Sequence, residues 1–340
     1  MDQQFCKGLN IGGWLSQCPH TEEHYGTFIN EGDIQRIAAW GFDHIRLPFD
    51  CQLVEDDAAP GQYKEDGFVH IDNCLQWCAD AGLNVILDMH AAPGYYFFAN
   101  QNTLFDDPAM QQRFVALWQV IALRYRSLGG SVRFELLNEV VEPDSSRWNA
   151  LYPRVIEAIR RIDPHRVIVV GCNRYSAAAE LKNLTLVDDV RVAYTVHFYE
   201  PYVFTHQRIK WVDILRDYDT ALSYPGVVAG IAEFIEKFPQ YEYARALQDL
   251  PMNRATMFAQ LEDAAQFQQQ HKRTVYLGEF GVIEGVDEAS RDAWISDVLD
   301  FCREHGIGYA LWSYKAMDFG LVTQQGDVIS EKLVRLLVEG

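Results

Sequence analysis

Residues 131–139 read SVRFELLNE, an apolar run that ends on the polar pair Asn138 and Glu139. Strands that are apolar at nearly every position are typical of parallel sheets, which are covered on both faces. A helical pattern precedes this run at 107–127, and another follows it at 145–162. The stretch therefore predicts a buried parallel strand between two helices, with polar side chains at its carboxyl end.

The same alternation of strand and helix occurs eight times along the chain. The predicted strands are 5–11, 43–48, 83–89, 131–137, 166–171, 191–197, 273–279 and 307–312. The predicted helices are 31–40, 68–82, 107–127, 145–162, 253–271, 288–305 and 329–338, with a weaker one at 176–184. Because eight such units in 340 residues suit a closed ring, we expect a single (β/α)8 TIM barrel over 1–340.

An open, doubly wound nucleotide-binding sheet is the alternative that the sequence disfavours. Such a sheet carries a GxGxxG turn after its first strand, whereas residues 8–14 read GLNIGGW. A Walker motif is also absent from the sequence.

One segment breaks the alternation. Residues 200–252 contain no clean pattern of strand and helix, and they are rich in aromatic residues such as Trp211. This is too long for an ordinary connection between a strand and a helix. We interpret the segment as an inserted subdomain on the catalytic face of the barrel, after the sixth strand, with aromatic residues that form its own core or stack on substrate.

Polar and aromatic residues gather at the carboxyl ends of the predicted strands, where barrel active sites form. They are Arg46, His90, Asn138, Glu139, His197, Tyr199, Glu279 and Trp312. A single residue of this kind is as often structural as functional. Eight together, of types that bind and cleave sugars, indicate a catalytic site at this opening.

Glu139 and Glu279 end the fourth and seventh strands, which face one another across a barrel. Two carboxyl groups about 5–5.5 Å apart define retaining glycoside hydrolysis, in which one donates a proton and the other attacks. Their surroundings must then push their pKa values apart. The alternative is two unrelated, salt-bridged glutamates.

Four other acidic residues receive smaller roles. Glu135 is expected to support structure, and Glu142 is expected to lie on a loop close to the site. Glu284 and Asp318 are expected to lie on loops that could line the substrate site.

Composition restricts the partners. Lys and Arg number 29 against 48 Asp and Glu, a formal net charge of −19. Such a surface repels nucleic acid, anionic lipid and polyphosphates but tolerates a neutral sugar. Since the sequence has no apolar run of about 18 residues, we expect no membrane span.

The seven cysteines are scattered and odd in number, which favours reduced thiols over disulfides or a metal site. We expect no metal and no cofactor. The first residues, MDQQFCKGLN, lack a basic and an apolar region, so we expect a cytoplasmic protein unless a signal peptide was removed. A monomer is also expected.

Several sequence blocks resemble glycoside hydrolase family 5, the cellulase family. They are GFDHIRLPFD (41–50), ILDMHAAPG (86–94), FELLNEVVEP (134–143), YTVHFYEP (194–201), YLGEFG (276–281) and ALWSYKAMDFG (310–320). The resemblance covers nearly the whole chain and is closest to the bacterial cellulase C type of endoglucanase, which lacks binding modules.

The resemblance implies a role for each residue. Glu139 would be the acid/base and Glu279 the nucleophile, while Asn138 would bind the 2-hydroxyl group of the sugar being cleaved. Arg46 and Tyr199 would hold Glu279, and His197 would lie near Glu139. His90 and Trp312 would form the floor under the cleaved sugar, and Ala91 stands where some relatives carry a second histidine.

The implied substrate is a soluble β-glucan with β-1,4 or mixed linkages, cut internally. The same constellation also serves β-mannanases, exo-β-1,3-glucanases and β-glucosidases. A non-catalytic sugar-binding barrel is disfavoured because both glutamates are present. An aldolase or a phosphate isomerase is disfavoured because the last two loops are acidic or aromatic and offer no phosphate site.

Overall fold

The barrel predicted from the sequence is confirmed in the computed structural model, which describes residues 5–99 and 102–339. Eight parallel strands close into a ring whose spatial order is first, eighth, seventh, sixth, fifth, fourth, third, second. They span Lys7–Asn10, His44–Asp50, Asn84–Ala91, Val132–Glu135, Ile168–Gly171, Val192–Phe198, Val275–Phe280 and Gly308–Leu311. The all-apolar runs identified the strands because nearly every strand residue is buried.

Helices cover the outside of the ring. The main ones are Glu22–Thr27, Glu31–Trp40, Glu65–Ala81, Pro108–Tyr125, Ser146–Arg160, Arg254–His271, Glu288–His305 and Glu331–Glu339. The helix after the third strand begins as its sequence predicts: Asp107 accepts a hydrogen bond from the Ala109 backbone N–H group at 2.8 Å, and Pro108 fills the first turn. Across the described part of the chain, no helix combines the length and the apolar character needed to cross a bilayer.

The weak helix predicted at 176–184 is confirmed only in part, as a 3₁₀ helix that begins two residues later. Residues Asn173–Ser176 form a left-handed turn, and Ala178–Asn183 form a short 3₁₀ helix. The run of alanines favours a helix locally, but hydrogen bonds from Asn173 to a neighbouring loop determine this backbone instead.

The segment after the sixth strand consists of short pieces. Its helices are Tyr202–Thr205, Asp213–Tyr218, Ile231–Lys237 and Glu242–Ala246, and Gly226–Val227 pairs antiparallel with Pro251–Met252. Four rings, those of Tyr218, Phe234, Phe238 and Tyr241, pack together within it. These four aromatic residues therefore form a small core within the segment, while Trp211 stays 57% exposed.

Candidate active site

A long cleft of about 1750 Å³ lies over the carboxyl ends of the barrel strands. Among the residues that line it are Glu139, His197, Tyr199, Glu279 and Trp312. Arg46, His90 and Asn138 are buried around these groups. The structure thus brings together all eight side chains that the strand ends predicted.

The two glutamates meet at one histidine. The His197 Nδ1 atom lies 2.9 Å from Glu139 Oε1 and 3.6 Å from Glu279 Oε2. Ligand atoms of these three residues all fall within 4.8 Å of one another. A carboxylate pair this close matches the spacing of a proton donor and a nucleophile on one sugar carbon.

Arg46 is the centre of a buried network beneath the pair. Its guanidinium group binds Glu135 through two hydrogen bonds of 2.7 and 2.9 Å, and it donates to Glu279 Oε1 at 2.7 Å. It also donates to Asn10 at 3.0 Å and to Asn138 at 2.9 Å. Because the planar group has a partner on each side, its position under Glu279 is rigid.

Burial and the neighbouring carboxylate of Glu279 raise the pKa of Glu139 well above its usual range. Burial also raises the pKa of Glu279, but the charge of Arg46 and a 3.0 Å hydrogen bond from the Tyr199 hydroxyl group oppose that rise. The environments of the two carboxyls therefore differ in the sense that gives Glu139 the proton and leaves Glu279 ionised.

The oxygen and the nitrogen of the Asn138 side-chain amide differ in their hydrogen bonding. Its Oδ1 atom accepts a hydrogen bond from Arg46 at 2.9 Å. That buried nitrogen has no hydrogen-bond partner among the described residues. A buried donor without a protein partner can bind a sugar hydroxyl group.

His90 and Trp312 stack with ring centres 5.7 Å apart and an interplanar angle of 11°. The His90 Nδ1 atom lies 2.7 Å from Asp88, and its Nε2 atom lies 3.2 Å from the Gln17 amide nitrogen. Burial lowers the pKa of His90 to about 4, so the ring is neutral at pH 7. A neutral ring donates to Asp88 and accepts from Gln17, which fixes the tautomer and the ring plane.

Asn10, Asp88 and Glu135 were missed or given a smaller role by the sequence analysis. Glu135 was expected to support structure, and its side chain does so by holding Arg46. A signal for Asp88 was available, since it stands two residues before His90 and successive strand residues alternate between faces.

The carboxylate pair with His197 also has the spacing of a three-ligand metal site. Arg46 lies 2.7 Å from Glu279, however, and its permanent charge would oppose a second cation there. The arrangement fits proton transfer and nucleophilic attack better than metal coordination.

Known proteins of one family are similar to this chain. The family model described as cellulase (glycosyl hydrolase family 5) matches residues 8–318. Endoglucanase C of Acetivibrio thermocellus is 44% identical over 335 residues, covering 98% of this chain and 98% of the relative. Cellodextrinase A of Ruminococcus flavefaciens is 34% identical over 304 residues, covering 88% and 83%.

Solved structures share the fold. A hyperthermophilic endo-β-1,4-glucanase in complex with substrate superimposes with a TM-score of 0.80 at 22% identity, covering 99% of this chain and 98% of that one. Thermotoga maritima Cel5A in complex with cellobiose gives 0.76 at 24% identity, with 98% of both chains covered. With a matching family model over most of its length and a relative at 44% identity, the chain belongs to the cellulase family, glycosyl hydrolase family 5.

Proposed function

We propose that this protein cuts soluble β-glucans internally, at β-1,4 bonds or in mixed-linkage β-1,3/1,4 chains, with retention at the anomeric carbon. The observation that carries the proposal is the contact of Glu139 and Glu279 with one histidine at the floor of a long cleft. The substrate class is supported by the names of two relatives, an endoglucanase and a cellodextrinase.

In the first step, Glu279 attacks the anomeric carbon while Glu139 donates its proton to the departing glycosidic oxygen. Arg46 and Tyr199 keep the attacking carboxylate ionised and orient it. In the second step, Glu139 accepts a proton from water, which attacks the glycosyl ester on Glu279. Burial lowers the pKa of the His197 imidazole well below its ordinary value, so this ring is neutral. It can therefore stay beside Glu139 in both protonation states of that carboxyl group without adding a charge.

The order of strands gives the cleft a direction. The glutamates end the fourth and seventh strands, so they divide the ring into one arc with the fifth and sixth strands and another with the eighth, first, second and third. His90 and Trp312 belong to the second arc and form the floor for the cleaved sugar. The leaving sugars then extend over the fifth and sixth strands, where residues 200–252 emerge.

The shape of the cleft supports internal cleavage. A site for one small ligand occupies about 300–1000 Å³, and this cleft exceeds that range. Residues line it on both arcs, including His20 and Asp50 on one and Trp211 and Tyr243 on the other. A chain can therefore lie across the glutamates with sugars bound on both sides. The net charge of −19 is compatible with a neutral polymer.

A substrate panel with product sizing tests the proposal. Barley mixed-linkage glucan and soluble cellulose derivatives should lose viscosity faster than they gain reducing ends, and the first product should be the β-anomer. Mannan and a β-1,3-glucan are the comparison substrates. Hydrolysis of mannan alone would overturn the proposed specificity, and an initial α-anomer would remove the nucleophile role from Glu279.

A further inference from the structure

Cys18, His20 and Asp50 form a cluster on the wall of the cleft that the proposed reaction does not use. The Cys18 Sγ atom lies 3.7 Å from His20 Nδ1, and His20 Nε2 lies 3.0 Å from Asp50 Oδ2. All three residues line the cleft. A thiol, an imidazole and a carboxylate in this order form a reactive cysteine site, because the carboxylate orients the ring and the charged ring stabilises the thiolate.

The His20 ring carries the charge that such a site needs. Burial lowers the pKa of His20, but hydrogen bonds to Asp50 and Cys18 outweigh it and raise the value to about 9. The ring is therefore an imidazolium at pH 7, with a proton on each nitrogen. Its Nε2 proton goes to Asp50, and its Nδ1 proton is shared between the Tyr25 hydroxyl oxygen at 2.8 Å and the Cys18 sulfur. The sulfur thus has a cationic donor within hydrogen-bond distance.

Cys51 lines the same wall in the opposite surroundings. Burial, together with the charges of Asp50 and Asp57, raises the pKa of the Cys51 thiol to about 12. Cys51 therefore keeps its proton at pH 7, and a thiol reacts far more slowly than a thiolate. The wall thus carries one cysteine beside a cation and one beside carboxylates, which can be compared directly.

One oxygen of Asp50 is unused. Its Oδ2 atom accepts from His20 and from the Gln17 backbone N–H group at 3.2 Å. Its Oδ1 atom is buried and has no hydrogen-bond partner among the described residues. Such an oxygen costs free energy until a ligand brings a donor, and an ammonium group is a strong donor to a carboxylate. The net charge of −19 also favours a cation over an anion at this wall.

We propose that Cys18 is a modification site for a low-molecular-mass disulfide that carries an ammonium group, of the cystamine type, and that the mixed disulfide blocks the cleft. In the exchange, the Cys18 thiolate attacks one sulfur atom of the disulfide. A new bond forms between these two sulfur atoms, and the bond between the two halves of the reagent breaks. Cys18 is oxidised, while the departing half is reduced and leaves as a thiolate that takes a proton from water. The ammonium group of the attached half donates to Asp50 Oδ1.

The attached half lies in the arm of the cleft that holds the cleaved sugar. Gln17 precedes Cys18 in the chain, and its side-chain amide nitrogen lies 3.2 Å from His90 Nε2. His90 in turn stacks on Trp312. A group on Cys18 therefore stands beside the floor for the cleaved sugar and excludes the glucan. Because a reduced thiol removes the group by the reverse exchange, the block follows the balance of thiol and disulfide around the protein.

The test treats the enzyme at pH 7 with cystamine and follows two readouts, the hydrolysis of barley glucan and the mass of each cysteine-containing peptide. We expect a cysteamine group on Cys18, loss of most hydrolysis, and recovery with dithiothreitol. Dithiodipropionate has a similar length but carries carboxylates in place of the ammonium groups. It should label Cys18 roughly tenfold more slowly, the order of one lost hydrogen bond between charged groups.

Variants separate the reactive thiol from its neighbours, each compared with its own hydrolysis before treatment. Cys18→Ser should take up no cysteamine at this position and keep its hydrolysis in cystamine, whereas Cys51→Ser should be blocked like the wild type. His20→Gln keeps a hydrogen-bonding side chain without the charge, so it should slow the labelling of Cys18 roughly tenfold.

Equal labelling of Cys18 and Cys51, or unchanged labelling of Cys18 in His20→Gln, would show that the cluster does not activate the thiol. Inactivation of Cys18→Ser at the wild-type rate, or labelled Cys18 without a loss of hydrolysis, would overturn the block of the cleft. Equal rates with the two disulfides would remove the contact with Asp50. Because labelling is read by mass, its outcome does not depend on which glucan the enzyme cuts.

Discussion

The Tyr95 hydroxyl group donates a 2.7 Å hydrogen bond to the backbone carbonyl oxygen of Glu139. The Tyr95 hydroxyl oxygen in turn accepts a hydrogen bond from the Val141 backbone N–H group at 2.7 Å. Glu139 itself has a φ of 41°, in the left-handed region that favours glycine. The buried Tyr95 hydroxyl group thus bridges two backbone groups directly after the side chain of the proposed proton donor, and it helps to hold Glu139 in this conformation.

Tyr95→Phe removes only this oxygen and should lower kcat on β-glucan about tenfold while KM changes less than twofold, because the acid is displaced and the cleft is not. The loss should be smaller on aryl cellobiosides with good leaving groups, which need little proton donation. The measurement is kcat and KM for both kinds of substrate. A purely structural tyrosine would lower the melting temperature and leave the two substrates equally affected.

Replacing either proposed catalytic carboxylate should abolish most activity in a folded protein. Glu139→Ala should recover with azide and give a β-glycosyl azide, since azide attacks the glycosyl ester. Glu279→Ala should give the α-azide, since azide attacks the substrate directly. Product anomers by NMR are the measurement.

Glu142→Gln is the matched control for these two variants. This nearby carboxylate pairs with Arg147 at 3.2 Å and belongs to neither step. Its variant should keep near-normal turnover. Normal turnover in Glu139→Ala or Glu279→Ala, or the same anomer from both, would contradict the assigned roles.

The barrel was predictable because strands covered on both faces appear in the sequence as apolar runs. The first and last residues of each observed strand lie within two residues of the predicted ones. The strand-end residues followed from that, since a barrel directs all carboxyl ends to one opening. Glu135 lies within a strand and not at its end, so its position did not indicate that its side chain reaches the site. When a strand is apolar throughout, alternation does not identify its inward face, so the contact with Arg46 required the structure.

The left-handed turn was not predictable for a different reason. Nothing local to 173–176 favours a positive φ, and the hydrogen bonds that impose it come from Glu142, 31 residues away. The expectations of a monomer, of a cytoplasmic location, of the inserted subdomain as a unit and of the individual site roles stay predictions.

A charged pair on the cleft wall gives a pH prediction. His20 Nε2 lies 3.0 Å from Asp50 Oδ2. Burial lowers the pKa of His20, but hydrogen bonds to Asp50 and Cys18 outweigh it and raise the value from 6.5 to about 9. A raised pKa means that the folded state binds the proton more tightly, so this stabilisation is full below pH 6.5 and is lost as pH rises through 9.

A double-mutant cycle with His20→Gln and Asp50→Asn should therefore give a coupling free energy of about 1–2 kcal/mol at pH 6, after allowance for the partial exposure of His20. The coupling should approach zero at pH 10. Urea unfolding of the four proteins at both pH values measures it. A coupling that is equal at the two pH values would show that His20 does not carry the charge.

The last prediction concerns Trp211, which is 57% exposed, lines the cleft and lies outside the four-ring core of its segment. Because residues 200–252 follow the sixth strand, Trp211 lies in the leaving-group arc, farther along the chain than Tyr202. An exposed indole at that place is expected to pack on a sugar several units from the cut bond.

Trp211→Ala should then raise KM roughly three- to tenfold for barley glucan and cellohexaose, the cost of one aromatic contact. Cellotriose is too short to reach it and should show less than a twofold change, and Trp211→Phe should behave as an intermediate. If Trp211→Ala changes KM equally for long and short substrates and lowers the melting temperature, the segment contributes only to the stability of the barrel, and the prediction is wrong.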